Sequence, residues 1–299
     1  MVYDTIIIGG GPAGMAAAIY ATRYKLSSLV IAHDFGQISK APCIENYPGV
    51  EKPSGMELIT KFRDQAKEHG AEIKTSTITS IEKKEDLFEL TAKEGEKYQA
   101  KTVILAMGAA HRRLHIENED KFVGKGVSYC STCDAPLFSG KKVAVVGGGD
   151  SAAVSALHIA GIASEVTLIY RGDALKAQPS LIHNIESKEN IRVITNANVE
   201  ELKGDTFLSG AKLDNGEELE ISGLFIEIGQ IPSTDLARNA GIELDKSNYI
   251  QVNKAQMTNI PGVFAAGDIT DASNNLKQIL TAAAQGAVAA NAAFKFINQ

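Results

Sequence analysis

An α/β fold built on parallel sheets is what this sequence predicts, and three observations carry that expectation. Thr5-Ile6-Ile7-Ile8 is a short, continuous, β-branched run, as a strand covered on both faces requires, and it leads straight into Gly9-Gly10-Gly11-Pro12-Ala13-Gly14. Val143-Ala144-Val145-Val146 repeats the pattern and leads into Gly147-Gly148-Gly149-Asp150-Ser151-Ala152. Just upstream of that second glycine run, Cys130-Ser131-Thr132-Cys133-Asp134 sets two cysteines two residues apart, with an acid after the second. Strand, G-x-G-x-x-G/A, helix is the context of a dinucleotide site, because the turn exposes backbone N–H groups at a helix N-terminus where a pyrophosphate can rest. Two such sites in one chain imply two nucleotides and a relay between them, with the cysteine pair as a redox dithiol.

Composition bounds the reading. At 299 residues the chain is long enough for about two domains. The net charge is −6 and no lysine or arginine run stands out, so neither a nucleic-acid nor a membrane partner has an electrostatic case. Three cysteines are too few for a secreted disulfide scaffold. Met1-Val2-Tyr3-Asp4 enters a strand directly, and no apolar run reaches about 18 residues. The expectation is a soluble cytoplasmic protein whose thiols work in a reducing compartment.

Taken in order, Gly9 makes the tight turn, Gly11 lets backbone approach a pyrophosphate, and Gly14 packs helix on strand. Ala16 to Tyr24 reads as helix and Leu29-Val30-Ile31 as the second strand. Asp34 follows Gly14 by twenty residues, where an acid binds a ribose hydroxyl; a solvated loop acid is the equal alternative. Phe35 to Pro53 is loop-like, marked by Gly36-Gln37, Pro42 and Pro48-Gly49, and loops of that length are usually functional or disordered. Cys43, within it, reads as a small buried hydrophobe. Gly55 to His69 is an amphipathic helix, Glu72 to Tyr98 alternates as strands, and Thr102 to Ala106 is a buried strand ending at Met107-Gly108. His111-Arg112-Arg113-Leu114-His115 reads as a solvated segment between domains; its two histidines lack further ligands at useful spacing, so no metal is expected.

Val166 to Ile169 is the second strand after the second glycine run, and Tyr170-Arg171-Gly172-Asp173 with Lys176 follows. Arg171 and Lys176 favour a 2′-phosphate, hence NADPH over NADH, while Asp173 works against them. Ile191 to Ile228 alternates like short antiparallel strands, with Asp214-Asn215-Gly216 as a hairpin turn. Gly229-Gln230-Ile231-Pro232 looks like a linker. Pro261 to Asp268 is a buried strand ending in Gly-Asp, and an alanine-rich helix runs from about Lys277 to Ile297.

Together Gly9-to-Gly14, Glu45-Asn46-Tyr47-Pro48-Gly49, Cys130-to-Asp134, Gly147-to-Ala152 and Ala265-Ala266-Gly267-Asp268 resemble the low-molecular-weight thioredoxin reductases, in order and along essentially the whole chain. The resemblance implies two Rossmann-like dinucleotide-binding domains of the three-layer ββα type, the second inserted in the first. A discontinuous FAD-binding domain would occupy 1–113 and 233–299, and an NAD(P)H-binding domain carrying the dithiol 114–232. FAD would lie over Gly9, Gly11, Pro12, Ala13 and Gly14, with Asp34, Gln37, Asn46 and Gly108 near it. Asp268 would bind its ribityl–pyrophosphate part, and Lys277, Gln278 and Ile279 would stand beside the isoalloxazine. NAD(P)H would meet Gly147, Gly149, Asp150, Ser151, Ala152, Arg171 and Lys176.

A homodimer and a thioredoxin-like protein acting in trans are implied too. By the same resemblance Cys133 faces the flavin, Cys130 attacks the protein disulfide, and Asp134 handles the proton. Domain rotation about residues 112–117 and 229–233 would let one dithiol serve both partners.

The chain also departs from the family. The family's His-Arg-Arg…Arg cluster is Tyr170-Arg171-Gly172…Lys176 here, which opens the donor to NADH or to a non-nicotinamide source such as ferredoxin. Phe35-Gly36-Gln37 stands for Gly-Gly-Gln, and Lys277 for an arginine. A flavin-dependent dithiol oxidase is the rival with the same fold, and Gly147, Gly149 and Ala152 argue for a pyridine nucleotide. A zinc module is disfavoured, since one C-x-x-C supplies two of four ligands.

Overall fold

The computed structural model describes residues 1–41, 43–272 and 276–299; Pro42 lies outside them. The chain divides into two compact units, Met1–Ala110 with Ile231–Gln299, and His111–Gln230.

The first unit starts with β1 (Val2–Ile8), α1 (Pro12–Arg23) and β2 (Ser28–Ala32). A short 3-10 turn spans Gln37–Lys40, and α2 (Gly55–Glu68) follows. Ser54 caps α2 reciprocally: the Glu57 N–H donates to Ser54 Oγ at 3.2 Å, and the Ser54 N–H donates to Glu57 Oε2 at 2.7 Å. Next come β3 (Glu72–Thr75), β4 (Ile78–Lys84), β5 (Leu87–Ala92) and β6 (Lys97–Leu105). β7 (Ala109–His111) carries the chain out of the unit.

The second unit holds α3 (Glu119–Phe122), β8 (Val127–Ser128), α4 (Ser131–Asp134), β9 (Lys142–Val146), α5 (Asp150–Ala160) and β10 (Glu165–Tyr170). It continues with α6 (Pro179–Glu186), β11 (Ile191–Thr195), β12 (Val199–Gly204), β13 (Leu208–Leu213), β14 (Glu218–Glu220) and β15 (Gly223–Ile226). β16 (Gln230–Pro232) returns the chain and pairs with β7. α7 (Asp235–Asn239), β17 (Val263–Ala265) and α8 (Ile279–Ile297) complete the first unit.

In the first unit the sheet order is β3-β2-β1-β6-β5-β4, with β17 also on β6. β1, β2, β3, β6 and β17 pair in parallel, and β4 and β5 are antiparallel. β2, β17 and the later residues of β1 and β6 are buried on both faces, β3 at the sheet edge has no buried residue, and β5 alternates buried and half-buried residues, as a strand with one wet face should. α1 and α8 pack backbone to backbone: a Cβ on Gly286 would sit 2.0 Å from Ala13 O. Alanines at 282, 289, 290, 292 and 293 keep that face of α8 thin and buried.

The second unit is a five-stranded parallel sheet, β11-β10-β9-β15-β8, beside a three-stranded antiparallel sheet, β12-β13-β14. This corrects the antiparallel expectation for residues 191–228 at both ends. β11 pairs with β10 and β15 with β9, each in parallel. All four residues of β15 are buried, and a run that short carries no signal of strand direction. The hairpin at Asp214-Asn215-Gly216 is present, with Gly216 at φ 87°. α1 starts at Pro12, four residues before the expected start at Ala16, because the glycine turn itself is the helix entry. Cys43 is half-buried rather than buried, with Sγ 3.9 Å from Lys52 O. Among the described residues no helix is long and apolar enough to cross a membrane.

Candidate active site

The dithiol sits where β8 hands over to a single helical turn. Cys130 is extended (φ −141°) and caps α4. Cys130 and Cys133 form a disulfide with their Cα atoms 5.3 Å apart, and the Cys133 N–H donates to Cys130 Sγ at 3.2 Å. Such an amide stabilises a thiolate once the bond is broken.

Asp134 is tied to the same turn by a residue that no motif flagged. Ser128 Oγ donates to Asp134 Oδ2 at 2.6 Å and accepts the Cys130 N–H at 3.1 Å. Burial pushes the Asp134 carboxyl above its ordinary range, and the Ser128 hydrogen bond offsets part of that. A carboxyl raised in the folded state contributes stability below its unfolded pKa and loses it as pH rises through the folded value. Asp134→Asn is therefore expected to melt higher than the parent protein at pH 7 and to match it near pH 4, read by thermal unfolding at both.

Each unit has one glycine cradle. A Cβ on Gly9 would lie 2.2 Å from Ala106 O, and one on Gly14 would lie 2.0 Å from Gly9 O. Those two positions are glycine because backbone touches backbone. Gly11 differs: its nearest neighbour would be Phe35 O at 4.0 Å, so it fronts open space at the N-cap of α1. In the second unit a Cβ on Gly147 (φ 149°) would lie 2.4 Å from Glu227 O, whereas one on Gly149, the N-cap of α5, would meet nothing within 4 Å. Neither N-cap supplies a side-chain hydrogen bond, so the first-turn amides stay available to an anion. The residues present thus fit two dinucleotides.

A family model described as pyridine nucleotide-disulphide oxidoreductase matches residues 3–286. The chain belongs to that family. It is an oxidoreductase built around a redox disulfide. It is 40% identical to the thioredoxin reductase of Treponema pallidum, covering 99% of this chain and 97% of the relative. It is 38% identical to an NADH dehydrogenase of Bacillus subtilis, covering 99% of this chain but only 58% of that protein. The crystal structure of thioredoxin reductase from Streptococcus pyogenes superposes with a TM-score of 0.93 at 34% identity, covering 99% of this chain and 98% of that one. The family implies a flavin and a nicotinamide donor.

Around the first cradle, Pro12 and Ala13 open α1, and Gln37 opens the 3-10 turn. Asn46 Nδ2 donates to Gln278 Oε1 at 2.9 Å, joining the long loop to the start of α8, where Ile279 packs on the core. Asp268 is half-buried and its carboxyl is pushed up by burial. Lys277 Nζ donates to Asp268 O at 2.7 Å and lies 3.5 Å from the Tyr249 ring centroid. Burial lowers the Lys277 ammonium to about 8, against the pull of Asp268. Gly108 has φ 67°. Asp34 turns on its own loop: its carboxylate accepts the Gly36 N–H at 2.8 Å and pairs with His33 at 3.1 Å, with the side chain exposed.

Around the second cradle, Ser151 and Ala152 fill the first turn of α5. Asp150 accepts the Gln178 N–H at 2.7 Å and its Nε2 at 3.0 Å. The Lys176 N–H donates to Gly148 O at 2.7 Å, folding the Arg171–Lys176 segment back onto the glycine turn. The Tyr170 ring lies between two glycines. A Cβ would come within 2.3 Å of it at Gly148 and 2.6 Å at Gly172. The glycine that replaces the family's second arginine thus makes room for Tyr170.

Proposed function

We propose that the chain is a thioredoxin-disulfide reductase. It would take electrons from NAD(P)H through FAD to the Cys130–Cys133 disulfide, and from there to the disulfide of a thioredoxin-like protein in trans. The observation that carries the reading is a disulfide on a one-turn helix, in a chain with two separate dinucleotide cradles. Bound FAD would supply the conversion of a two-electron hydride into thiol–disulfide chemistry. The protein's own residues do the rest. Gly11 and the first amides of α1 hold the flavin pyrophosphate, Asp268 its ribityl side, and Asn46 and Gln278 brace each other beside it. Gly149, Asp150 and the turn at Arg171 and Lys176 hold the nicotinamide nucleotide. Cys133 receives the electron pair, Asp134 delivers a proton, and Cys130 attacks the partner disulfide. FAD binding belongs to 1–113 with 233–299, and NAD(P)H binding to 114–232. A cytoplasmic homodimer completes the reading, on the strength of the family resemblance.

NADPH is the donor favoured, since Arg171 and Lys176 can face a 2′-phosphate. NADH is the second reading, favoured by Gly172 under the Tyr170 ring and by the name of the Bacillus relative. Arg171→Ala should lower kcat/KM for NADPH about tenfold and leave NADH unchanged, the loss of one charged hydrogen bond. Equal loss with both donors would remove the 2′-phosphate contact from the account. The overall activity is tested by NADPH oxidation coupled to thioredoxin thiol formation at catalytic enzyme concentration. Nicotinamide oxidation that yields no thioredoxin thiols would reassign the partner.

A further inference from the structure

Glu227 is a charged residue in an apolar run. It follows Leu224, Phe225 and Ile226, all buried in β15. Its N–H donates to Val146 O of β9 at 2.8 Å, and its carbonyl oxygen is the atom a Cβ on Gly147 would meet. The residue therefore borders the second cradle. Its side chain engages the dithiol turn. Ser155 Oγ, from α5, donates to Glu227 Oε1 at 2.7 Å. Ser155 in turn meets Ser131, the first residue of α4. The Ser131 and Ser155 oxygens are 2.7 Å apart, and both serines are buried. One carboxyl thus joins the end of β15, the cradle helix α5 and the dithiol helix α4. Burial pushes it up and the serines hold it down. The other carboxyl of the turn, Asp134, is engaged separately by Ser128.

We propose that Glu227 is a positioning residue for the Cys130–Cys133 dithiol, holding the first turn of α4 and opposing thiolate formation with its charge. The Ser155–Ser131 hydroxyl pair anchors the Glu227 carboxyl to the turn that carries the dithiol, where helix amides would otherwise favour a thiolate. A nearby negative charge disfavours a second one. A dithiol whose thiolate is less stabilised is the stronger reductant, which suits a pair that must pass electrons on.

This inference rests on Cys130–Cys133 being the redox pair, but its test needs neither nicotinamide nor thioredoxin. Absence of thioredoxin turnover would therefore count against the proposed function and leave this inference standing. Holoprotein is equilibrated with dithiothreitol, whose two thiols cede two electrons and two protons and close into a cyclic disulfide while the Cys130–Cys133 bond opens to two thiols. Protein thiols are counted, the flavin spectrum is recorded, and the alkylation rate of the reduced protein is followed against pH. Glu227→Gln keeps the shape and the acceptor oxygen but removes the charge. It should shift the equilibrium toward the dithiol roughly three- to tenfold and move the alkylation profile to lower pH. Ser131→Ala, which tests the tie without touching Glu227, should shift both in the same direction by less. Both variants matching the parent within twofold, in equilibrium and profile, would overturn the proposal. A Glu227→Gln protein that fails to fold leaves the decision to Ser131→Ala.

Discussion

Cys133→Ser is expected to lower turnover with a protein disulfide by about 10³-fold or more while leaving reduction of the bound flavin by the nicotinamide intact. The two cysteines act as one group. They share a disulfide, and the Cys133 amide is bonded to the Cys130 sulfur. Serine at 133 leaves a single thiol, which can neither accept an electron pair by opening a disulfide nor release a mixed disulfide by closing one. Anaerobic flavin spectra separate the half-reactions. The variant should bleach with the donor at the parent rate, then stay reduced when oxidised thioredoxin is added. Reoxidation by thioredoxin at the parent rate would mean that electrons bypass the pair.

The second large effect separates two kinds of glycine in the first cradle. Gly14→Val should cost roughly 3 kcal/mol or more, since its Cβ would be driven to 2.0 Å from Gly9 O in a buried helix–strand contact. The protein should melt far lower and retain no flavin. Gly11→Val should leave the melting temperature of the flavin-free protein within about 1 °C of the parent, because its Cβ would enter open space at an extended backbone position. Flavin retention should nevertheless be lost, as the isopropyl group occupies the pyrophosphate's place. Melting curves with and without added FAD distinguish the two. Equal destabilisation by both substitutions would remove the ligand role assigned to Gly11.

Both glycine turns were legible because the requirement is local. A strand, a turn where backbone must touch backbone and a helix N-terminus leave the same imprint in any chain, and the structure has both at 9–14 and 147–152. The dithiol and the Asp214-Asn215-Gly216 hairpin were legible for the same reason. Parallel pairing of β11 and β15 was not, since strand direction depends on partners far along the chain. Ser128 had no signal at all: one serine before a tyrosine could sit anywhere, and only the fold brings it to Asp134. Glu227 did carry a signal, a charge at the end of a buried run, and a search for misplaced charges would have found it. The Asn46–Gln278 bond joins residues far apart in sequence, and only the family resemblance gave both a place beside the flavin. Gly172 was legible as a missing arginine but not as the space Tyr170 occupies.

The claim at the centre of this account is that electrons run from a nicotinamide through the flavin to Cys130–Cys133. Its most direct test is anaerobic titration of the holoprotein with NADPH and, separately, NADH, recording flavin absorbance and the number of alkylatable thiols. The account predicts bleaching of the flavin with at least one donor, together with the appearance of two new thiols per chain that are absent in Cys133→Ser. No bleaching with either donor, or bleaching without new thiols, would contradict it.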